Sequence, residues 1–348
     1  MATEAPTPSN VQPIHDTVRA VNPQQQNITP NPKVSITIVG AGGCGINFAR
    51  NFKSSKQAQV LYFDTSKANT RPGESVYVIA DGSGSGSNRA AHAPTIERHI
   101  PQLTDKEIGV ADVAAVIFSL SGGTGSVIGP LMIREYARRG QRVIAVIIAD
   151  TGSAVAAKNT SNTLKTLYAI ANNNGITIPI ISLTNDNVDN NREVDETGTY
   201  LIQSIIDILT IDVIEVDRND RLNWIDSSKV TGVAPGLKIM TFNREKFVPN
   251  PKIVLGTESD QVVDSLLILQ KTEDATIREQ RIPLSKLKKV GIFIENNTRI
   301  IGTVSSDISC IDSIIDQVEK MQHAINAQKH GKIDRLAQGT EGGDDLFV

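Results

Sequence analysis

Apolar residues in the first two thirds of the chain fall into short runs bounded by glycine, serine and asparagine. The runs at 34–39, 60–64, 114–120, 143–148 and 178–183 read as core strands. Helical spacing follows most of them, at 46–52, at 127–139 and at 161–173. Strands alternating with helices predict a parallel sheet covered on both faces. A longer helix is expected at roughly 193–209, with a wide apolar stripe of Leu201, Ile202, Ile205, Ile206 and Leu209. After Lys238 the texture changes to strands at 237–242, 266–270, 290–294 and 299–304. The last two are joined by a hairpin turn at Asn296-Asn297-Thr298, and a final helix is expected at 308–324.

The expected fold is therefore α/β: a Rossmann-like parallel-sheet domain, a long central helix, and a smaller α+β second domain packed with that helix as the seam. In residues, a flexible proline-rich arm spans 1–32, the parallel-sheet domain 33–192, and the central helix with its following loop 193–230. The second domain spans 231–328 and an acidic tail 329–348. The tail closes on Asp344-Asp345-Leu346-Phe347-Val348, the composition of either a solvated spacer or a short docking peptide.

Composition narrows the function classes. A net charge of −3 over 348 residues gives no global basic field to draw the chain to nucleic acid or membrane. Two cysteines, Cys44 and Cys310, exclude a disulfide scaffold and fit a reducing cytosol. Apolar runs fall short of the roughly 18 residues a membrane span needs, and no signal-peptide pattern is seen. A soluble, cytoplasmic protein is expected.

Three glycine-rich loops carry the candidate chemistry, all after strands and on the carboxyl edge of one sheet, where ligands of open α/β sheets bind. The first, Gly40-Ala41-Gly42-Gly43-Cys44-Gly45, satisfies G-x-G-x-x-G, with Asp64 about 20 residues on. Alone it would suit a dinucleotide. The second is Asp81-Gly82-Ser83-Gly84-Ser85-Gly86-Ser87-Asn88, and the third runs from Ser119 to Gly129. Glycines let backbone approach a bound anion, and first-turn amides with the helix dipole point at it. Three converging loops suit a longer, more highly charged chain, such as a nucleoside triphosphate. There is no G-x-x-x-x-G-K-[ST] string, so backbone amides, hydroxyls and a metal ion would hold the phosphates.

The string Ser121-Gly122-Gly123-Thr124-Gly125-Ser126 resembles the signature motif of the tubulin/FtsZ superfamily, one glycine short at its first position. The stretch 40–47 is similar to the family's first phosphate loop, and 82–88 with Arg89-Ala90-Ala91 to its third. The likeness covers roughly 33–245. Arm, short second domain and acidic tail look most like the phage- or plasmid-encoded bacterial tubulins, the PhuZ- and TubZ-like proteins.

The resemblance implies a GTPase that binds GTP/GDP with Mg2+, polymerises head to tail, and positions or segregates phage or plasmid DNA. Its partners would be copies of itself, with the tail docking on the neighbour, and a DNA- or virion-linked adaptor; no direct membrane contact is implied. Gly122, Gly123, Thr124, Gly125 and Ser126 would cradle the β- and γ-phosphates, and Gly42, Gly43 and Cys44 the α- and β-phosphates. Gly84 and Ser85 belong to the stretch that matches the family's third loop, and Asp81 directly precedes it; all three would contact the nucleotide. Asn47 matches a residue that reads the guanine edge, unless it is a surface amide on an amphipathic helix. Asp189, with Asn191 beside it, would be the second base reader or part of an N-cap cluster. The family's ribose residues are missing; Gly152-Ser153 and Lys158-Asn159 stand in their place.

For hydrolysis the resemblance implies an Asn and one or two acids in a loop that meets the next subunit's nucleotide. Here that loop would be 217–229, with Asn223 aligned, the acid displaced to Asp226, and Asp220 as a substitute. Asp226 as an Asx cap is the alternative. Trp224 would pack at the subunit contact or under the loop. Two other readings stay open: an NAD-linked oxidoreductase using the first loop alone, and a tubulin-like scaffold that binds GTP without turnover. The first needs a catalytic His or Lys near the cleft, but His15, His92, His99, His323 and His330 fall in the arm, helices or tail.

Overall fold

The parallel core begins with β1 (Ile36–Ala41), β2 (Ala58–Asp64), β3 (Val76–Val78), β4 (Val113–Ser119), β5 (Arg142–Ala149) and β6 (Ile178–Thr184). These observations come from a computed structural model that describes residues 33–79, 82–86, 88–150, 152–185, 191–210, 216–246, 265–271, 277–279, 292–293 and 298–338. Alternation explains why the interiors of the central strands β4 and β5 are apolar. In β4, Val113, Ala115 and Ile117 enter one core layer, while Ala114, Val116 and Phe118 enter the other. In β5, Ile144, Val146 and Ile148 face the first layer, and Val143, Ala145 and Ile147 the second. With both faces buried, no polar alternation survives.

Helix α1 (Gly42–Ala49) contributes to the first layer. The second layer takes α2 (Arg89–His99), the short α3 (Asp105–Ile108), α4 (Gly125–Arg138) and α5 (Ala154–Asn174). The long helix is α6 (Asn191–Thr210), whose Ile202, Ile205, Ile206 and Leu209 are all buried in the first layer, matching the expected stripe. Two short helices follow, α7 (Arg218–Ile225) and α8 (Ser228–Thr231), where a loop was expected.

The remaining strands are β7 (Leu237–Lys246), β8 (Ser265–Lys271), β9 (Ile277–Glu279), β10 (Ile292–Phe293) and β11 (Thr298–Ser305). They continue the same sheet. Among the described residues it has eleven strands in the order β3-β2-β1-β4-β5-β6-β7-β11-β8-β9, with β10 paired to β11. The join is narrow: β7 runs parallel to β6 over three register pairs, 178–237, 179–238 and 180–239. It then pairs antiparallel with β11 along its length. β10 and β11 are antiparallel as expected, and the turn residues Asn296 and Asn297 lie outside the described residues.

The last helix, α9 (Ser309–Gln338), is longer than its apolar residues announce. Ile311, Ile314 and Val318 bury its first turns. Ten residues expected as tail, 329–338, extend it; Lys, Gln, Arg, Leu and Ala there are good helix formers without an apolar stripe to signal them. The arm, and 339–348, lie outside the described residues. Among the described residues no helix is long and apolar enough to cross a membrane.

Candidate functional site

Two helix N-termini meet above the carboxyl ends of β1 and β4. They meet because glycine allows the backbones to touch. Gly42 has φ of 70°, and a Cβ on it would stand 2.7 Å from the amide nitrogen of Gly125. A Cβ on Gly125 would reciprocally stand 2.7 Å from the Ala41 carbonyl oxygen. Farther down, a Cβ on Gly45 would overlap the Ile117 carbonyl at 2.0 Å, and one on Gly129 the Phe118 ring at 2.3 Å. So the small residues of the third loop do two jobs: Gly125 and Gly129 seat helix α4 on the sheet, while Gly122 and Gly123 line open space.

That space is a cleft of about 350 Å3. Gly42, Gly43 and Cys44 line it from the first loop, Gly84 and Ser85 from the second, and Gly122, Gly123, Thr124 and Gly125 from the third. The expected convergence of three loops is therefore present in the backbone. A hydroxyl chain ties them together: Thr124 Oγ1 lies 2.6 Å from Thr65 Oγ1 and donates to Ser85 Oγ at 3.0 Å. Because Thr124 is spent this way, the N-terminus of α4 has no side-chain cap, and neither has α1 after Ala41. First-turn amides and dipoles of both helices face the cleft, an arrangement that attracts anions. Helix α5 holds the third loop from behind, through Asn159 Nδ2 to the Ser121 carbonyl and Thr163 Oγ1 to the Leu120 carbonyl, both at 2.9 Å.

Other expected site residues are placed differently. Ser126 is buried beneath the loop, its hydroxyl without a protein partner, and does not line the cleft. Asn47 is exposed on α1, one turn beyond Cys44 and outside the lining. Asp81 and Asp189 lie outside the described residues, and Asn191 is described only as the first backbone residue of α6. Ser153 caps α5 by accepting from the Ala156 amide. Lys158 and Asn159 line a neighbouring cavity of about 470 Å3 with Arg89, which shares Gly86 of the second loop with the cleft.

Asp64, Ser66, Asn69, Ser83 and Ser119 also line the cleft. Asp64 was the ribose acid of the dinucleotide reading. Instead it is 1% exposed, with Oδ1 accepting from the Thr65 amide at 2.7 Å and Oδ2 from Asn69 Nδ2 at 2.5 Å. Its carboxylate shapes the 65–69 loop at the edge of the cleft. Burial, reinforced by the charge of Asp195, pushes the Cys44 thiol up to about 11, so it stays protonated as a packing group.

The expected hydrolytic residues require a correction. Asp226 does not stand out on an open loop: it caps the C-terminal end of α7 and is buried in the subunit. Its Oδ1 accepts from Ser228 Oγ at 2.7 Å, and its Oδ2 faces Lys229 Nζ at 3.3 Å and Arg142 Nε at 3.6 Å. Asn223 is half-buried within α7. Trp224 is internal, donating from Nε1 to the Gly302 carbonyl at 3.1 Å, with Phe242 edge-on. The acids at the start of α7 stand nearer the surface. Asp217 is exposed, and Asp217 and Asp220 form a reciprocal capping box. Asp220 is the substitute acid expected from the sequence; Asp217 was missed, and the D-x-x-D string before a helix was the signal that could have found it.

α7 is fastened to the amino ends of the strands: Arg218 pairs with Asp112, just before β4, and Asp226 faces Arg142, the first residue of β5. The glycine loops sit at the carboxyl ends. Cleft and acids thus occupy opposite edges of one sheet.

Fold and cleft define a doubly wound α/β protein with three glycine-rich loops gathered at the carboxyl ends of its strands. No family model matches the chain. It is 28% identical over 314 residues to a phage tubulin-like protein of Pseudomonas phage PhiPA3, covering 89% of this chain and 91% of that one. Among solved structures, the protofilament of TubZ from Bacteriophage PhiKZ is similar with a TM-score of 0.70 and 20% identity, over 86% of this chain and 93% of that one. The phage tubulin PhuZ with GDP gives 0.66 and 20%, over 84% and 92%. The chain is thus similar along most of its length to phage tubulin-like proteins, and its fold is that of the solved phage TubZ and PhuZ structures.

Proposed function

We propose that this chain binds GTP or GDP in the three-loop cleft and polymerises head to tail into filaments, each subunit completing the GTPase site of its neighbour. The observation that carries the reading is the placement of cleft and α7 acids on opposite edges of one rigid sheet. A carboxylate at that distance cannot serve its own cleft, but stacking copies edge to edge brings the 217–220 segment of one over the cleft of the next. Such a heterologous contact repeats without closing and gives a filament. The names of the similar phage proteins, a TubZ protofilament and a GDP-bound PhuZ, support it.

In this reading the amides of Gly42, Gly43 and 122–125 hold the phosphates, and Asp220 of the next subunit aligns water against the γ-phosphate, with Asp217 fixing its position. Phosphoryl transfer needs chiefly that positioning and charge stabilisation. Mg2+ would neutralise phosphate charge when bound. Among the described residues no three His, Cys, Asp or Glu side chains gather, so the ion would ride on the phosphates beside the Ser85 and Thr124 hydroxyls, not in a protein cage. Asn47 and Asp189 would read guanine. The filaments would position phage or plasmid DNA in a bacterial cytoplasm through an adaptor, with Asp344–Val348 docking on the neighbour.

One experiment tests the core of this. GTP should drive the protein into the pellet, and phosphate release per subunit should rise with protein concentration. Release that stays proportional to protein from the lowest concentration would mean a self-contained site. No pelleting and no release would leave a nucleotide-binding scaffold.

A further inference from the structure

Asn47 is not an isolated surface amide. It shares a face of α1 with Cys44, three residues earlier, which lines the cleft. Arg50, a further turn on, reaches back to it: Nη1 donates to Asn47 Oδ1 at 2.5 Å. The rest of the guanidinium is held elsewhere. Nε donates to Glu74 at 3.0 and 3.1 Å, and Nη2 donates to Glu74 Oε2 at 2.8 Å and to the Asn69 carbonyl. Both partners are enclosed, with side chains 10% and 5% exposed. The Arg50 hydrogen bonds, first among the causes, hold the Glu74 carboxyl below the usual carboxylate range. The clamp therefore stays charged at neutral pH.

A guanidinium only donates, so the amide atom turned toward Arg50 has to be the oxygen. The NH2 of Asn47 is then the end that this bond leaves unused. We infer that Arg50, anchored by Glu74, sets purine selectivity as a positioning residue: it locks the Asn47 amide so that only donors face the base. Guanine offers an acceptor at O6, whereas adenine offers an amino group that a locked donor rejects. Released, the amide would turn over and accept from adenine. This rests on the guanine reading of the cleft.

The test is competition for a fluorescent GTP analogue on monomer below its assembly concentration, with GTP, ITP and ATP as competitors. Wild type should prefer GTP and ITP, which share O6, over ATP. Arg50→Met should narrow the GTP-to-ATP ratio by about tenfold, the scale of one mispaired polar group. Glu74→Gln, which keeps a hydrogen-bond acceptor and perturbs folding less, should narrow it by a smaller factor in the same direction. Asn47→Asp, having no donor, should lose the preference, and adding Arg50→Met to it should change the ratio no further. Equal loss of GTP and ATP affinity in Arg50→Met overturns the inference, as does the same narrowing with Asn47→Asp already present. A wild type that does not distinguish GTP from ATP removes the guanine reading itself, and the clamp's role with it.

Discussion

At the scale of single residues, Asp226 shows what a sequence hides. Its acid character was legible and its surroundings were not, because helical register within 217–229 decides which carboxylate turns inward. The structure turns Asp226 toward Arg142 and Lys229, so Asp226→Ala is expected to leave the half-buried Arg142 guanidinium short of its counter-charge. A loss of about 1–3 kcal/mol in denaturant unfolding should follow, with turnover per folded filament little changed. Asp220→Ala should behave in the opposite way. Monomer affinity for GTP should stay near wild type while turnover in filaments drops about 100-fold, the scale of one lost positioning group. If instead Asp226→Ala abolishes hydrolysis without lowering stability, the burial argument fails.

At the scale of elements, the third loop was legible as a glycine-rich turn, but not the division of labour among its glycines. That depends on which backbone lies opposite each position. Gly129 faces the buried Phe118 ring, and an added methyl has nowhere to go. Gly129→Ala is expected to cost on the order of 1–3 kcal/mol in stability by overpacking. Gly122 has its nearest foreign atom at 3.9 Å, so Gly122→Ala should fold normally and weaken nucleotide binding by intruding on the cleft. Calorimetry on both variants, read for melting temperature and for nucleotide affinity, separates the two effects.

Helix α4 also carries an acid-sensitive tie. Arg138 and Arg139 both donate to Glu135, and the Arg138 hydrogen bonds, the larger cause, hold its carboxyl below the usual range. Such a group adds stability that is fully present above the unfolded carboxylate pKa of about 4.3 and fades as pH falls through the lower folded value. Glu135→Gln should therefore lower the melting temperature at pH 7 and flatten its decline below about pH 5. Parallel acid titrations of the two proteins check this.

At the scale of the whole molecule, the parallel core and the central helix could be read ahead because period and length are strong signals. The α+β part was legible only as strands. Its merging into one continuous sheet depends on three register pairs between β6 and β7, which no local pattern encodes. The division of the proposed site between two edges was legible only through the family resemblance, since no local pattern places 217–220 at the amino ends of the strands. That division makes a demanding prediction. A subunit with an obstructed cleft, such as Gly122→Asp, keeps its α7 acids; Asp220→Ala keeps its cleft. Each alone should be nearly inactive. Mixed in equal amounts within one filament, random neighbours join a good cleft to a good acid at about a quarter of the junctions, because a head-to-tail contact uses one edge of each copy. Phosphate release should recover toward about a quarter of the wild-type rate in the pelleted fraction. Activity no greater than the sum of the separate mutants, in filaments shown to contain both, would place the hydrolytic carboxylate in the same subunit as its nucleotide.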